Sequence, residues 1–126
     1  VDQIEGLNFM DVLVVEDEMI IALMIEQMVK RMGHTVVGKT AKGEKAIEQA
    51  HETKPDLILM DIRLQGEMDG VDAISKIQRE LDIQVIYITG NTDQKYKNKV
   101  ESTNYIDFLI KPITQHQLSD SFDLAS

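Results

Sequence analysis

The chain has 126 residues, 43% of them hydrophobic, a net charge of −9 and no cysteine. This length fits one domain with a real core, and the apolar content argues against disorder. The absence of cysteine excludes disulfides and thiolate metal sites and favours a cytoplasmic setting, while the acidic balance disfavours direct binding to nucleic acid or an anionic membrane.

Residues 1–9 read as a lead-in, polar and irregular through "VDQIEGLN", and residues 10–126 as one domain. "FMDVLVVE" is a Val-rich strand ending in acids. Residues 18–32 follow with helical spacing, Glu26, Gln27, Lys30 and Arg31 lying on one side. Gly33 stops that helix at the usual C-terminal position. "HTVVGKT" is a short second strand, and residues 41–54 form a helix closed by Pro55. "DLILMD" is the third strand, apolar on both faces as a central parallel strand requires. Residues 71–81 form the third helix and "IQVIYIT" the fourth strand. "DQKYKNKVEST" is a weaker, mostly polar fourth helix; "YIDFLIK" and "ITQHQLSDSF" are the fifth strand and fifth helix. Strand and helix alternate five times, which predicts an α/β fold: a doubly wound parallel sheet with right-handed crossovers. No apolar run approaches the roughly 18 residues of a membrane span, and no basic segment leads into an apolar stretch as in a signal peptide. His34, His51 and His116 lack ligand spacing, so no histidine metal site is expected.

Open parallel sheets bind ligands outside the carboxyl ends of their strands. The first strand ends in Glu16, Asp17 and Glu18, the third at Asp61, the fourth at Thr89 and the fifth at Lys111 before Pro112. Clustered carboxylates repel one another and resist ionisation. A hard divalent cation relieves that repulsion, and Mg²⁺ prefers oxygen ligands and keeps waters that phosphoryl oxygens can replace. A lysine adds positive charge and a threonine a hydrogen bond. Together they describe a phosphoryl-transfer site in which a carboxylate can be the nucleophile. Each residue also has a plainer reading: Glu16–Glu18 as acids at a helix start, Asp61 as a loop cap, Thr89 as an ordinary strand end, Lys111 as surface charge. Their meeting at one sheet edge outweighs those readings.

The stretches "VLVVEDE", "PDLILMDIRL", "MDG", "YITG" and "FLIKPI", in this order, resemble the receiver domain of two-component response regulators from about Met10 to about Phe122. The resemblance implies a (βα)5 flavodoxin-like sheet of strand order 2-1-3-4-5. It implies that Asp61 accepts a phosphoryl group from a histidine kinase or histidine phosphotransfer protein. Mg²⁺ (or Mn²⁺) would be held by Asp17 and Asp61, by Glu16 mainly through water, and by the Arg63 backbone carbonyl. Thr89 would bond a phosphoryl oxygen and act as a switch with Phe108, and Lys111 would pair with the phosphoryl group. The Lys111–Pro112 bond would be cis. Such a protein is a phosphoacceptor that assists its own phosphotransfer and dephosphorylation rather than an enzyme. Its output surface would be the fourth helix, fifth strand and fifth helix, acting on an output domain, a downstream protein or a phosphorylation-linked homodimer. The alternative is a receiver-like interaction module that signals without phosphorylation. A nucleotide-binding enzyme or phosphatase is disfavoured, because no phosphate-binding glycine loop is present and Asp61 lacks a second Asp two places on.

The loop after Asp61, "IRLQGEMDG", lacks the proline common in the family and is one residue longer. Asn104–Tyr105 replace a frequent Gly-Ala, and Asn tolerates a left-handed turn. Gly90 should leave the acceptor open, and Arg63 and Asn91 stand where side chains reach an attacking water. Gly70 is expected to relieve backbone strain before the third helix, and Met19, Met24, Met28 and Met32 to fill the core. Lys95, Lys97 and Lys99 read by default as a solvated face.

Overall fold

The computed structural model describes residues 9–90 and 94–125. Residues 1–8 of the lead-in and Asn91 lie outside the described residues. Ten elements alternate: β1 (Asp11–Val15), α1 (Met19–Arg31), β2 (Thr35–Thr40), α2 (Gly43–Thr53), β3 (Leu57–Asp61), α3 (Gly70–Gln78), β4 (Gln84–Thr89), α4 (Gln94–Val100), β5 (Asp107–Ile110) and α5 (Gln115–Asp123). The strands form one parallel sheet in the order β2-β1-β3-β4-β5, as the resemblance implied. Among the described residues, no helix is long and apolar enough to cross a membrane.

Local chemistry sets the element ends. At the end of α1, the Gly33 N–H donates to the Lys30 carbonyl and the His34 N–H to that of Val29. This doubly bonded exit needs a left-handed residue, and Gly33 supplies it at φ +90°. Two helices begin with reciprocal caps: Asp69 with Asp72 on α3, and Thr114 with Gln117 on α5. The α2 exit rests on Lys54 in the left-handed region at φ 45°, a feature the sequence reading did not include. Asn104 is not left-handed; the Gln78 side chain clamps it, donating to the Asn104 carbonyl at 2.7 Å and accepting its N–H at 3.1 Å. In the lengthened loop after β3, Gly66 at φ +96° takes a turn that a side chain would strain.

Strand alternation splits the core in two. Leu13, Val15, Ile58, Met60, Val85 and Tyr87 face α2, α3 and the end of α4. Val12, Val14, Leu57, Leu59, Ile86 and Ile88 face α1 and α5. All of these side chains are buried, and each fully buried aliphatic contributes about 1.5–3 kcal/mol. His34 is structural: its Nδ1 accepts the Met10 N–H at 3.1 Å, and its ring lies 4.8 Å from that of Phe122.

The methionine expectation needs correction. Met28 and Met32 pack against the core, but Met19 and Met24 are 77% and 54% exposed, alongside exposed Ile20 and Leu23. The first half of α1 is apolar nearly all round, and only one side can meet the sheet.

Candidate functional site

The parallel register brings the strand ends level. Val15 pairs with Met60, Asp61 with Ile88, and Thr89 with Ile110. Backbone bonds carry the ladder one residue further: Glu16 N–H donates to Thr40 O, Ile62 N–H to Ile88 O, and Lys111 N–H to Thr89 O. Glu16, Asp61, Thr89 and Lys111 are therefore held by sheet geometry rather than by loops.

Alternation then sorts them. Glu16 and Asp61 fall on the α1/α5 face, two places after Val14 and Leu59, and Lys111 falls two places after Leu109. Lys111 Nζ lies 2.7 Å from Glu16 Oε1 and 3.2 Å from Asp61 Oδ2. Thr89, two places after Tyr87, belongs to the opposite face and is fully buried. Phe108 is half-buried on that same face, its ring centroid 6.5 Å from that of Tyr87. The Lys111–Pro112 bond is cis.

The charges in this pocket do not balance. Glu16 and Asp61 are each only 3% exposed, and one ammonium stands between them. Burial first, and the Glu16 charge second, push the Asp61 carboxyl up to about 7, although Lys111 pulls the other way. Burial opposes the Lys111 charge, but hydrogen bonding to Glu16 and the nearby carboxylates outweigh it and hold the ammonium above its ordinary pKa. Glu16 Oε2 accepts the Glu18 N–H at 3.1 Å. Glu16 Oε1 meets the ammonium but receives no well-directed hydrogen bond.

Oxygens of Glu16, Asp17 and Glu18 lie within 4.8 Å of one another. Glu18 stands at the N-cap of α1 without a side-chain cap bond, and its place in this cluster was not anticipated beyond its neighbourhood in "EDE". Asp61 is not part of that tight group, but its carboxyl interacts directly with that of Glu16, and Lys111 bridges the two. An all-oxygen donor set with surplus negative charge and an under-bonded buried carboxylate oxygen fits a hard divalent cation. Arg63 is exposed in the turn that follows.

Gly70 has a role different from the one expected. Its φ is not positive. Instead, a side-chain carbon there would collide with the Asp61 carbonyl oxygen and crowd Met60. The Gly70 N–H donates to the Ile62 carbonyl at 2.8 Å, drawing α3 against the end of β3. Gly90 is exposed, with open space where a side chain would begin.

A model of the response regulator receiver domain matches residues 12–123. The chain belongs to that family. The transcriptional regulatory protein PdtaR of Mycobacterium tuberculosis is 29% identical over 114 residues, covering 90% of this chain and 55% of PdtaR. Chemotaxis protein CheY of Thermotoga maritima is 28% identical over 116 residues, covering 91% of this chain and 96% of CheY. The receiver domain thus spans about half the length of PdtaR and nearly all of CheY. The signal receiver domain of a modulated diguanylate cyclase from Desulfovibrio desulfuricans G20 has the same fold, with a TM-score of 0.88, 29% identity and 94% of each chain covered. Receiver domains bind Mg²⁺ at an acidic pocket, and the Glu16–Asp17–Glu18 cluster occupies that edge of this sheet.

Proposed function

We propose that this receiver domain is a phosphoacceptor switch of a two-component system, with Asp61 as the acceptor. The observation that carries the reading is the buried Glu16–Lys111–Asp61 array, which sets a carboxylate beside an ammonium and an acidic cluster at the rim of the sheet. One Asp61 oxygen forms the new O–P bond as the N–P bond of a phosphohistidine breaks, and the donor imidazole keeps that electron pair. The donor is a histidine kinase or a histidine phosphotransfer protein. Lys111 leaves part of its bond with Glu16 to meet a phosphoryl oxygen. Mg²⁺, when bound, offsets the negative charge that gathers during transfer. Asp17, Glu16 and Asp61, with the Arg63 carbonyl, are the residues assigned to hold it. The domain assists its own phosphorylation and dephosphorylation and turns over no separate substrate.

Thr89 begins on the face of Tyr87 and Phe108. To bond a phosphoryl oxygen it must turn round the end of β4, which opens space for Phe108 to follow. The phosphoryl group thereby biases two arrangements of one fold. Output passes through α4, β5 and α5 to an output domain, a downstream protein or a second copy. The donor's histidine-bearing helices dock on exposed Met19, Ile20, Leu23 and Met24, because this apolar strip continues into the groove lined by Met28, Pro112 and Lys111. We place this signalling in the cytoplasm, without direct contact to nucleic acid or membrane.

The test is covalent labelling. Intact-mass analysis after incubation with acetyl phosphate and Mg²⁺ should find one added phosphoryl group, lost with chelator and absent in Asp61→Asn. Undiminished labelling of that variant would sink the assignment.

A further inference from the structure

We propose that Lys99 is an ionic clasp that holds α4 in its resting position, so that releasing it lowers the cost of switching. The inference rests on the phosphoacceptor reading of Asp61. Lys99 Nζ lies 2.6 Å from Asp69 Oδ2 and 3.0 Å from Asp72 Oδ1. These two acids form the reciprocal cap of α3: Asp72 N–H donates to Asp69 Oδ1, and Asp69 N–H donates to Asp72 Oδ2. Each carboxylate thus uses one oxygen to cap its helix and turns the other to Lys99. The expectation of a solvated lysine face fails at this residue.

The clasp joins the acceptor to the switch face. Asp69 immediately precedes Gly70, which has no room for a side chain beside the Asp61 carbonyl and bonds the Ile62 carbonyl. A displacement of the Asp61 backbone therefore passes to Asp69 with little give. On the other side, α4 is a helix of only seven residues. Val100 is buried and Tyr96 partly so, while Lys97 and Asn98 are exposed. Just beyond α4, the Thr103 hydroxyl bonds the Tyr87 hydroxyl at 2.8 Å, and Tyr87 packs against Phe108. This is the face that Thr89 must leave. A helix this short is steadied by a charge pair that ties it to its neighbour.

Electrostatics agree with this geometry. Burial works against the Lys99 charge, but its bonds to Asp69 and Asp72 outweigh that and raise its pKa. Burial raises Asp72, yet the Lys99 bond and the Asp69 amide bring it below the ordinary range.

Beryllofluoride with Mg²⁺ supplies a stable phosphoryl analogue as the probe. The chain has no tryptophan and three tyrosines, Tyr87, Tyr96 and Tyr105, all near α4 or β5, so tyrosine emission reports the change. Lys99→Met should lower the half-saturating beryllofluoride concentration about five-fold relative to wild type, and Lys99→Arg should restore it. Hydrogen exchange across residues 94–100 should rise in Lys99→Met without ligand. Equal half-saturation in wild type and Lys99→Met, whatever the change in thermal stability, would overturn the clasp alone. A wild-type protein that gives no response to beryllofluoride overturns the phosphoacceptor reading and the clasp together.

Discussion

Replacing Asp61 by Asn should make the metal-free protein more stable at pH 8, although it deletes a buried ion pair. Wild type buries two carboxylates against one ammonium, and the Asn variant leaves a balanced Glu16–Lys111 pair at 2.7 Å. The sign follows from proton linkage. Asp61 titrates at about 7 in the fold against an ordinary value of 3.8. Between those values the folded state binds more protons than the unfolded state, so wild-type stability falls as pH rises from about 4 to about 7. The gap of about three pH units converts to at most about 4 kcal/mol, at 1.36 kcal/mol per unit. Rearrangement of Lys111 and entry of water should leave about 2 kcal/mol. Urea unfolding of both proteins in chelator measures it. Asp61→Asn should be more stable by about 2 kcal/mol at pH 8 and nearly equal at about pH 3, below the unfolded value, where Asp61 is protonated in both states. Mg²⁺ should narrow the gap at pH 8 by stabilising wild type, about 1.4 kcal/mol for each tenfold excess over its dissociation constant. An Asn variant no more stable than wild type at pH 8, or stabilised equally at both pH values, refutes the charge-imbalance reasoning.

Three further outcomes are expected. Gly70→Ala should cost about 2 kcal/mol in urea unfolding, because the new methyl meets the backbone carbonyl of Asp61 and α3 must retreat; an unchanged midpoint would mean that the turn yields freely. Gly33→Ala should cost about 1 kcal/mol, since φ is +90° and a side chain there would also press on Phe9 at 2.9 Å. The double change Ile20→Asp and Met24→Asp should slow phosphotransfer from a histidine phosphotransfer protein at least about tenfold, yet leave labelling by acetyl phosphate and the unfolding midpoint nearly unchanged, because both side chains are exposed. Equal slowing with both donors would place the effect at Asp61 rather than at a docking surface.

The fold was legible because strand runs such as "LILMD" are apolar on both faces, and only a sheet covered on both sides uses such a run. The acid, hydroxyl and ammonium positions were legible for a related reason: each is the first polar residue after an apolar run, and parallel strands place their ends at one edge. What remained hidden depended on distances between elements far apart in sequence. Lys99 and Asp69 are thirty residues apart, and nothing in "YKNKVE" marks which lysine reaches back to the α3 cap. Gly70 looked like a conformational requirement, whereas its constraint is the proximity of the Asp61 carbonyl, which exists only once α3 is packed. The exposure of Met19 and Met24 was hidden because a helix that is apolar nearly all round carries no record of which side is covered.

One property was readable in principle and follows from parity alone. Counting by twos along each strand puts Glu16, Asp61 and Lys111 on the α1/α5 face and Thr89, Tyr87 and Phe108 on the other. The charge set and the switch set therefore lie on opposite sides of one sheet, and only the rim connects them. On the proposed reading, a phosphoryl group on Asp61 would extend the acceptor beyond the rim, where the Thr89 hydroxyl would meet it by turning past the end of β4. Gly90, exposed and with no side chain in the way, stands at that corner. A bulky residue at 90 should therefore slow the meeting of Thr89 and the phosphoryl group without altering the Glu16–Lys111–Asp61 array, because that array sits on the other face.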